Sequence, residues 1–97
     1  MAIIVTFTFP GAGQELYDAV IERVTDGQGF TQFADLGNPG LISHAAGQGD
    51  DGFHVTEIWE SVEALEAHAK TFGPILADLG HADVQPTILP AHKVVVH

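Results

Sequence analysis

The spacing of apolar residues alternates along this chain between a period of two and a period near 3.6, which limits the possible folds more than any other feature. Residues 3–9 are all β-branched or aromatic and are followed by Pro10-Gly11, so they predict a strand. From residue 13 to residue 24 the apolar side chains fall at helical spacing, and Asp26-Gly27 ends the pattern. The chain therefore begins with a predicted strand and a predicted helix.

A loop and a β-hairpin are predicted next. Strands are expected from Gly40 to about Gly47 and from Phe53 to about Glu60, with residues 48–52 as the connecting loop. The glycine-rich segment before them, residues 25–39, is predicted to be a loop that its apolar side chains hold against the core: Phe30, Phe33 and Leu36.

The last part of the chain predicts a second helix and a final strand. Ser61 is a suitable N-cap, and apolar residues at helical spacing continue from it to Gly80. Gly73-Pro74 interrupts this run, so we expect a kink or two short helices. A final strand is expected within residues 84–97, with residues 93–96 as its most regular part.

This order of elements, β-α-β-β-α-β, predicts an α+β fold of ferredoxin-like topology. We expect a single domain over residues 1–97, with an antiparallel sheet and both helices on one of its faces. One side of the first strand is entirely apolar, and no third helix is predicted to cover it: Ile3, Val5, Phe7 and Phe9. A second copy of the chain would cover that side, so the sequence predicts a homodimer of two facing sheets.

The charge balance excludes several classes of partner. Thirteen acidic residues against three basic ones give a formal net charge of −10, whereas nucleic acids and anionic membranes both require clustered Lys and Arg. No apolar run approaches the roughly 20 residues that cross a bilayer. The absence of cysteine excludes disulfides, zinc–thiolate sites and thiol nucleophiles. We expect a cytoplasmic protein without nucleic-acid or membrane partners.

Residues 53–68 carry the most specific pattern in the chain, FHVTEIWESVEALEAH. This run resembles the strand–helix signature of the dimeric α+β barrel superfamily, and within it antibiotic biosynthesis monooxygenase-like domains. The resemblance implies a homodimer with a pocket between the sheet and the helices of each subunit. The activities it implies range from cofactor-independent oxygenation of quinols and polyketide anthrones to haem degradation, cyclisation and isomerisation.

The same resemblance makes haem degradation the less expected activity. Haem degraders of this group combine a third-strand Trp, a first-strand Asn and a His in the second helix region. Trp59 matches the first of these residues, whereas the other two positions fall near Thr8 and Asp78.

Two residues of the matched run are candidate general bases. Glu57 lies in mid-strand among apolar neighbours. Loss of solvent there would raise the pKa of its carboxyl group towards the range that suits a general base. His68, two turns into the second helix, is the other candidate. A structural role for Glu57 stays open, as a hydrogen bond to a first-strand threonine or an ion pair with Arg23.

The expected substrate-binding residues assume that the Glu57 face of the third strand looks at the helices. Trp59 would then form an aromatic wall and a single N–H donor, beside Val55 and Phe72. Thr6 and Thr8 would join them from the first strand and position oxygen atoms of the substrate. Trp59 could equally be a core residue.

The six histidines are dispersed and include no helical pair of zinc-binding spacing. His44 and His54 lie on the two hairpin strands, so the register decides whether they are neighbours or lie on opposite faces. We predict no metal and no cofactor.

The leading hypothesis is a cofactor-independent monooxygenase-like enzyme acting on a small aromatic or polyketide-type molecule. A non-catalytic small-ligand-binding dimer, a cyclase and an isomerase remain as alternatives.

Overall fold

A computed structural model describes residues 1–32, 35 and 40–96. Its elements are β1 (Ile3–Pro10), α1 (Gln14–Val24), β2 (Leu41–Gly49), β3 (Gly52–Trp59), α2 (Val62–Asp78) and β4 (Thr87–Pro90). The sheet has the order β2-β3-β1-β4, and each neighbouring pair is antiparallel. These elements confirm the predicted α+β fold of ferredoxin-like topology. Neither described helix is both long and apolar enough to cross a membrane.

The register between β1 and β3 decides which side chains meet the helices. Val5 pairs with Glu57 and Phe7 pairs with Val55, and directly opposite residues project from the same face. The helices pack on this face, where the buried apolar residues of the sheet and of α2 form one core: Ile3, Val5, Phe7, Phe9, Leu41, Phe53, Val55, Trp59, Leu65 and Leu76. The expectation that the all-apolar side of β1 needs a second copy to cover it is therefore wrong.

Thr6 and Thr8 lie on the other face of the sheet. Thr6 pairs with Thr56, and Thr8 pairs with His54, whose Nδ1 atom is 3.4 Å from the Thr8 Oγ1 atom. The predicted place of both threonines in the pocket is wrong, because side chains alternate along a strand and the fully apolar set of β1 takes the core side.

One continuous helix runs through Pro74, so of the two expected outcomes at Gly73-Pro74 the division into two short helices is wrong. The Ser61 Oγ atom accepts a hydrogen bond from the backbone N–H of Ala64 at 3.1 Å, which confirms the predicted N-cap. Pro74 has no N–H group to donate to the Lys70 carbonyl group, so that carbonyl lacks its helical partner. Both residues are exposed. Buried side chains on both sides of the proline, those of His68 and Leu76, hold the helix on the sheet.

The final strand lies within the predicted range of residues 84–97, but before the part expected to be most regular. β4 covers residues 87–90 and pairs with β1 at the edge of the sheet, where a proline without an N–H donor is tolerated. Residues 93–96 belong to no strand, and Val95 and Val96 are exposed. In the predicted loop, Phe30 packs against the core as expected, whereas Phe33 and Leu36 lie outside the described residues.

Candidate functional site

A cavity of about 70 Å³ lies between the sheet and the two helices. Its apolar lining comes from β1, β3 and both helices: Phe7, Phe9, Leu16, Val20, Ile21, Val24, Phe53, Val55, Phe72 and Leu76. Four polar side chains also reach it, namely Tyr17 from α1, His44 from β2, Glu57 from β3 and His68 from α2. An apolar cavity with a few converging polar groups is the usual form of a small-molecule site.

Glu57 is the centre of a buried hydrogen-bond network. Its side chain is almost wholly removed from solvent, with 5% of the residue exposed. The Oε2 atom lies 2.7 Å from His44 Nδ1, and Oε1 accepts a hydrogen bond from the Trp59 Nε1–H group at 2.9 Å. Both carboxylate oxygens are therefore engaged. Arg23, the alternative partner considered for Glu57, pairs with Asp78 at the surface instead.

Tyr17 extends this network from α1. Its hydroxyl oxygen lies 2.8 Å from His44 Nε2. Burial raises the pKa of Tyr17, and the negative charges of Glu57 and Asp18 raise it further, so the phenol keeps its proton near neutral pH. With the His44 proton placed on Nδ1, the hydrogen bonds run in one direction: Tyr17 O–H donates to His44 Nε2, and His44 Nδ1–H donates to Glu57. This tautomer gives every polar atom in the network a partner.

His68 forms a separate polar wall of the cavity. Its ring centroid lies 5.2 Å from that of Trp59 and 4.9 Å from that of Phe72. Burial lowers the pKa of His68, while the Glu57 charge opposes this effect and His44 adds to it. The imidazole is therefore neutral at pH 7 and can accept a proton.

The structure brings most of the predicted site residues together. Glu57, His68, Val55 and Phe72 all line the cavity, as expected. Trp59 does not line it: the residue is fully buried, with 0% exposed, and lies against His68 and Glu57. The prediction that Trp59 forms a wall for the substrate is wrong in this structure, because its indole packs in the core and holds the Glu57 carboxylate in place.

Two polar residues of the site were not predicted as such. His44 pairs with Glu57 and lies on the helix face, whereas His54 pairs with Gly47 and lies on the opposite face, so the two histidines are not neighbours. Within the described ranges, no three His, Asp or Glu side chains are grouped as a metal site. Tyr17 could have been identified from the sequence, because Ile21 and Val24 follow it at i+4 and i+7, the spacing of one helix face.

In sequence, the chain matches no family model and no curated protein. In structure, it is similar to Rv0793 from Mycobacterium tuberculosis, with a TM-score of 0.62, 15% identity and 98% of each chain covered. It is similar to SnoaB, a cofactor-independent oxygenase from Streptomyces nogalater, with a TM-score of 0.54, 15% identity, and 99% of this chain and 96% of that chain covered. The haem degrader MhuD from Mycobacterium tuberculosis gives a TM-score of 0.53 at 21% identity, over 99% of this chain and 100% of that one.

Proposed function

The chain has the fold of the dimeric α+β barrel superfamily, as antibiotic biosynthesis monooxygenase-like proteins do, and on that premise we propose that it is a cofactor-independent monooxygenase-like enzyme. Its substrate would be a small aromatic or polyketide-type molecule bound between the sheet and the helices. The enzyme would be a cytoplasmic homodimer of one-domain subunits.

The observation that carries this proposal is the buried imidazole of His68 at the wall of a mostly apolar cavity. A cofactor-free oxygenation begins with removal of a proton from an electron-rich substrate, so it requires a base that is uncharged at the working pH. Burial keeps the pKa of His68 below its ordinary value, which supplies such a base. Glu57 would act through His44 as a positioning residue, because both of its oxygens already accept hydrogen bonds.

The proposed reaction balances with molecular oxygen as the only co-substrate. His68 takes the proton of an activated C–H bond, and the resulting carbanion gives its electrons to O₂. The carbon–oxygen bond then forms, and the peroxide anion takes back the proton from His68 to give a hydroperoxide. Loss of water from the hydroperoxide leaves a carbonyl group, so a CH₂ group and O₂ become C=O and H₂O. The apolar lining would protect the carbanion from bulk water.

The face of the sheet opposite the helices, its open face, supports the proposed homodimer. Ile4 pairs with Ile58 on one side and with Leu89 on the other, which forms an apolar row across three strands. Leu89 is 54% exposed in the single chain. Contact between two such faces would remove this row from water.

Oxygen uptake tests the proposal directly. Purified, chelator-treated protein would be supplied with a panel of quinols and anthrones, and oxygen consumption would be compared between the wild type and His68→Gln. We expect uptake above background, reduced at least about tenfold in the variant, since general bases contribute roughly 10²–10⁴-fold. Lys70→Ala, an exposed change on the same helix, is the matched control and should retain the wild-type rate. Uptake that His68→Gln leaves unchanged would remove His68 from the reaction.

A non-catalytic small-ligand-binding dimer is the second candidate, and one observation favours it. The network of Tyr17, His44, Glu57 and Trp59 is satisfied internally, which rigidifies a pocket without requiring proton transfer. Such a protein would quench or enhance Trp59 fluorescence saturably with an aromatic ligand that is recovered unchanged. No oxygen uptake together with saturable binding would favour this candidate, whereas a rearranged product formed without oxygen would indicate a cyclase or an isomerase.

A further inference from the structure

Tyr17 stands between the cavity and the surface of the protein. Among the described residues, Tyr17 and Phe53 line both the cavity and an open groove of about 580 Å³ beside the start of α1. Their ring centroids lie 5.3 Å apart, so the two rings form a partition. The groove on the outer side is lined by polar side chains, including those of Gln14, Asp18 and Gln48.

The volume of the cavity requires a lining side chain to move before an aromatic ligand can bind. The cavity measures about 70 Å³, and a cavity of roughly 150 Å³ is known to accept a single benzene molecule. Phe7, Phe9 and Phe53 are each buried, which makes them costly to displace. Tyr17 is only partly buried and has open space beside it in the groove. Of the two rings that line both the cavity and the groove, that of Tyr17 is the less buried and is therefore the one best placed to move into the groove.

The Tyr17 hydroxyl occupies the acceptor atom that a ligand hydroxyl would need. His44 Nε2 faces the phenol at 2.8 Å, and the Glu57 carboxylate at 2.7 Å from Nδ1 fixes the imidazole in that orientation. A tyrosine side chain is chemically a para-substituted phenol. A phenolic ligand could therefore replace both its ring and its hydrogen bond.

We propose that His44 Nε2 is the recognition point for a hydroxyl group on an aromatic ligand of the phenol or hydroquinone class, and that Tyr17 occupies this point until the ligand displaces it into the groove. The proposal rests on the proposed function, because it concerns the same pocket. It adds the chemical group that is recognised and identifies His44 as a specificity-determining residue.

The exchange leaves no buried polar atom without a partner. The ligand O–H would donate to His44 Nε2 in place of Tyr17, and the released phenol would be hydrated in the groove. An aromatic ligand without a hydroxyl would leave the nitrogen unpaired in an apolar cavity, which disfavours its binding. Discrimination between phenol and its methyl ether, anisole, follows from this difference and is expected to be roughly tenfold.

The single tyrosine of the chain allows a direct test. Wild-type protein with ¹³C-labelled tyrosine would be titrated with phenol and with anisole while its ring resonances are followed by NMR. We expect phenol to shift the Tyr17 resonances to those of a solvated tyrosine, with about tenfold tighter binding than anisole. Equal affinity for the two ligands, or phenol binding without a change at Tyr17, would overturn the proposal.

Two substitutions strengthen the test. Tyr17→Phe removes the competing hydroxyl, so phenol and anisole should each bind about tenfold tighter than to the wild type, and the preference for phenol should persist. Weaker phenol binding to this variant would mean that Tyr17 stays in place and contacts the ligand, which contradicts the proposal. Thr8→Ala, which removes a hydroxyl from the other sheet face, should leave both affinities unchanged.

Binding and turnover separate the two levels of inference. Tyr17-dependent phenol binding without oxygen uptake on any substrate would support the recognition point and reject the oxygenase. Oxygen uptake that depends on His68, together with equal phenol and anisole affinities, would support the oxygenase and reject the recognition point.

Discussion

The role of Glu57 as a shared buried acceptor predicts a large difference between two substitutions at this position. Glu57→Leu removes the acceptor of two buried donors, the Trp59 indole N–H and the His44 Nδ1–H. Glu57→Gln keeps an oxygen for Trp59, and its amide group can donate to His44 Nδ1 if the imidazole proton moves to Nε2. The first variant breaks the network, and the second preserves its geometry without the charge.

The magnitude follows from burial. Trp59 is fully buried, so no water can replace the lost acceptor, and each unsatisfied buried group costs about 1–3 kcal/mol. Two such groups give a loss of about 2–6 kcal/mol for Glu57→Leu, partly offset by the apolar side chain. A domain of this size has a total stability of about 5–15 kcal/mol. We expect Glu57→Gln to lose only about 1 kcal/mol.

Urea unfolding followed by Trp59 fluorescence measures this difference, since the chain contains one tryptophan. The two variants then differ by about 1–5 kcal/mol, and with a urea dependence of about 1–3 kcal/mol per molar the midpoint of Glu57→Leu should lie at least about 0.3 M below that of Glu57→Gln. All proteins must be compared at one concentration, because dimerisation would contribute to the midpoint. Coincident midpoints would show that the Glu57 hydrogen bonds do not stabilise the fold and would refute this account of the network.

Three further predictions concern Tyr17, His68 and the open face of the sheet. The 295 nm absorbance of the single tyrosine should titrate above the ordinary value, and Glu57→Gln should lower that pKa, because it removes one of the charges that raise it; an unchanged titration would count against the contact. His68 has a lowered pKa in the folded state, so it stabilises the protein above the unfolded value of about 6.5 and this contribution is lost as pH falls towards the folded pKa. Between about pH 7 and pH 5 the unfolding midpoint of the wild type should therefore fall more than that of His68→Gln, and parallel losses would exclude this effect. Leu89→Glu should produce a monomer by light scattering, whereas Ile88→Glu, one residue earlier and on the helix side of the sheet, should not; a dimer in both variants would reject the proposed interface.

The sequence predicts the sheet better than it predicts which way β1 faces. On β3, Glu57 and Trp59 share a face with Phe53 and Val55, and the assumption that this face looks at the helices is confirmed. On β1 both faces carry β-branched residues, and period-two alternation alone does not say which face meets the helices. The helix side is decided by pairing, since Val5 lies opposite Glu57.

The final strand illustrates a second limit. Residues 93–96 have the higher β-propensity, yet the chain pairs residues 87–90 with β1 instead. Strand propensity describes how well a side chain fits a pleated, half-buried surface, so the available partner can outweigh it. The partner here is β1, where Ile88 lies opposite Val5 and Leu89 lies opposite Ile4. A single stretch of sequence does not contain this information.

The meeting of His44 with Glu57 depends on one extra residue in β2. Leu41 pairs with Trp59 and Ser43 pairs with Ile58, so β2 advances by two residues while β3 advances by one, which leaves Ile42 as a bulge. In a regular ladder, His44 would lie opposite Thr56 and point to the open face. The bulge changes the parity of the strand and turns His44 towards the helices, where it reaches both Glu57 and Tyr17. Bulges commonly redirect a side chain next to a functional site, and no periodicity in the sequence reveals this one. The central hydrogen bond of the site therefore depends on a local irregularity that becomes visible only in three dimensions.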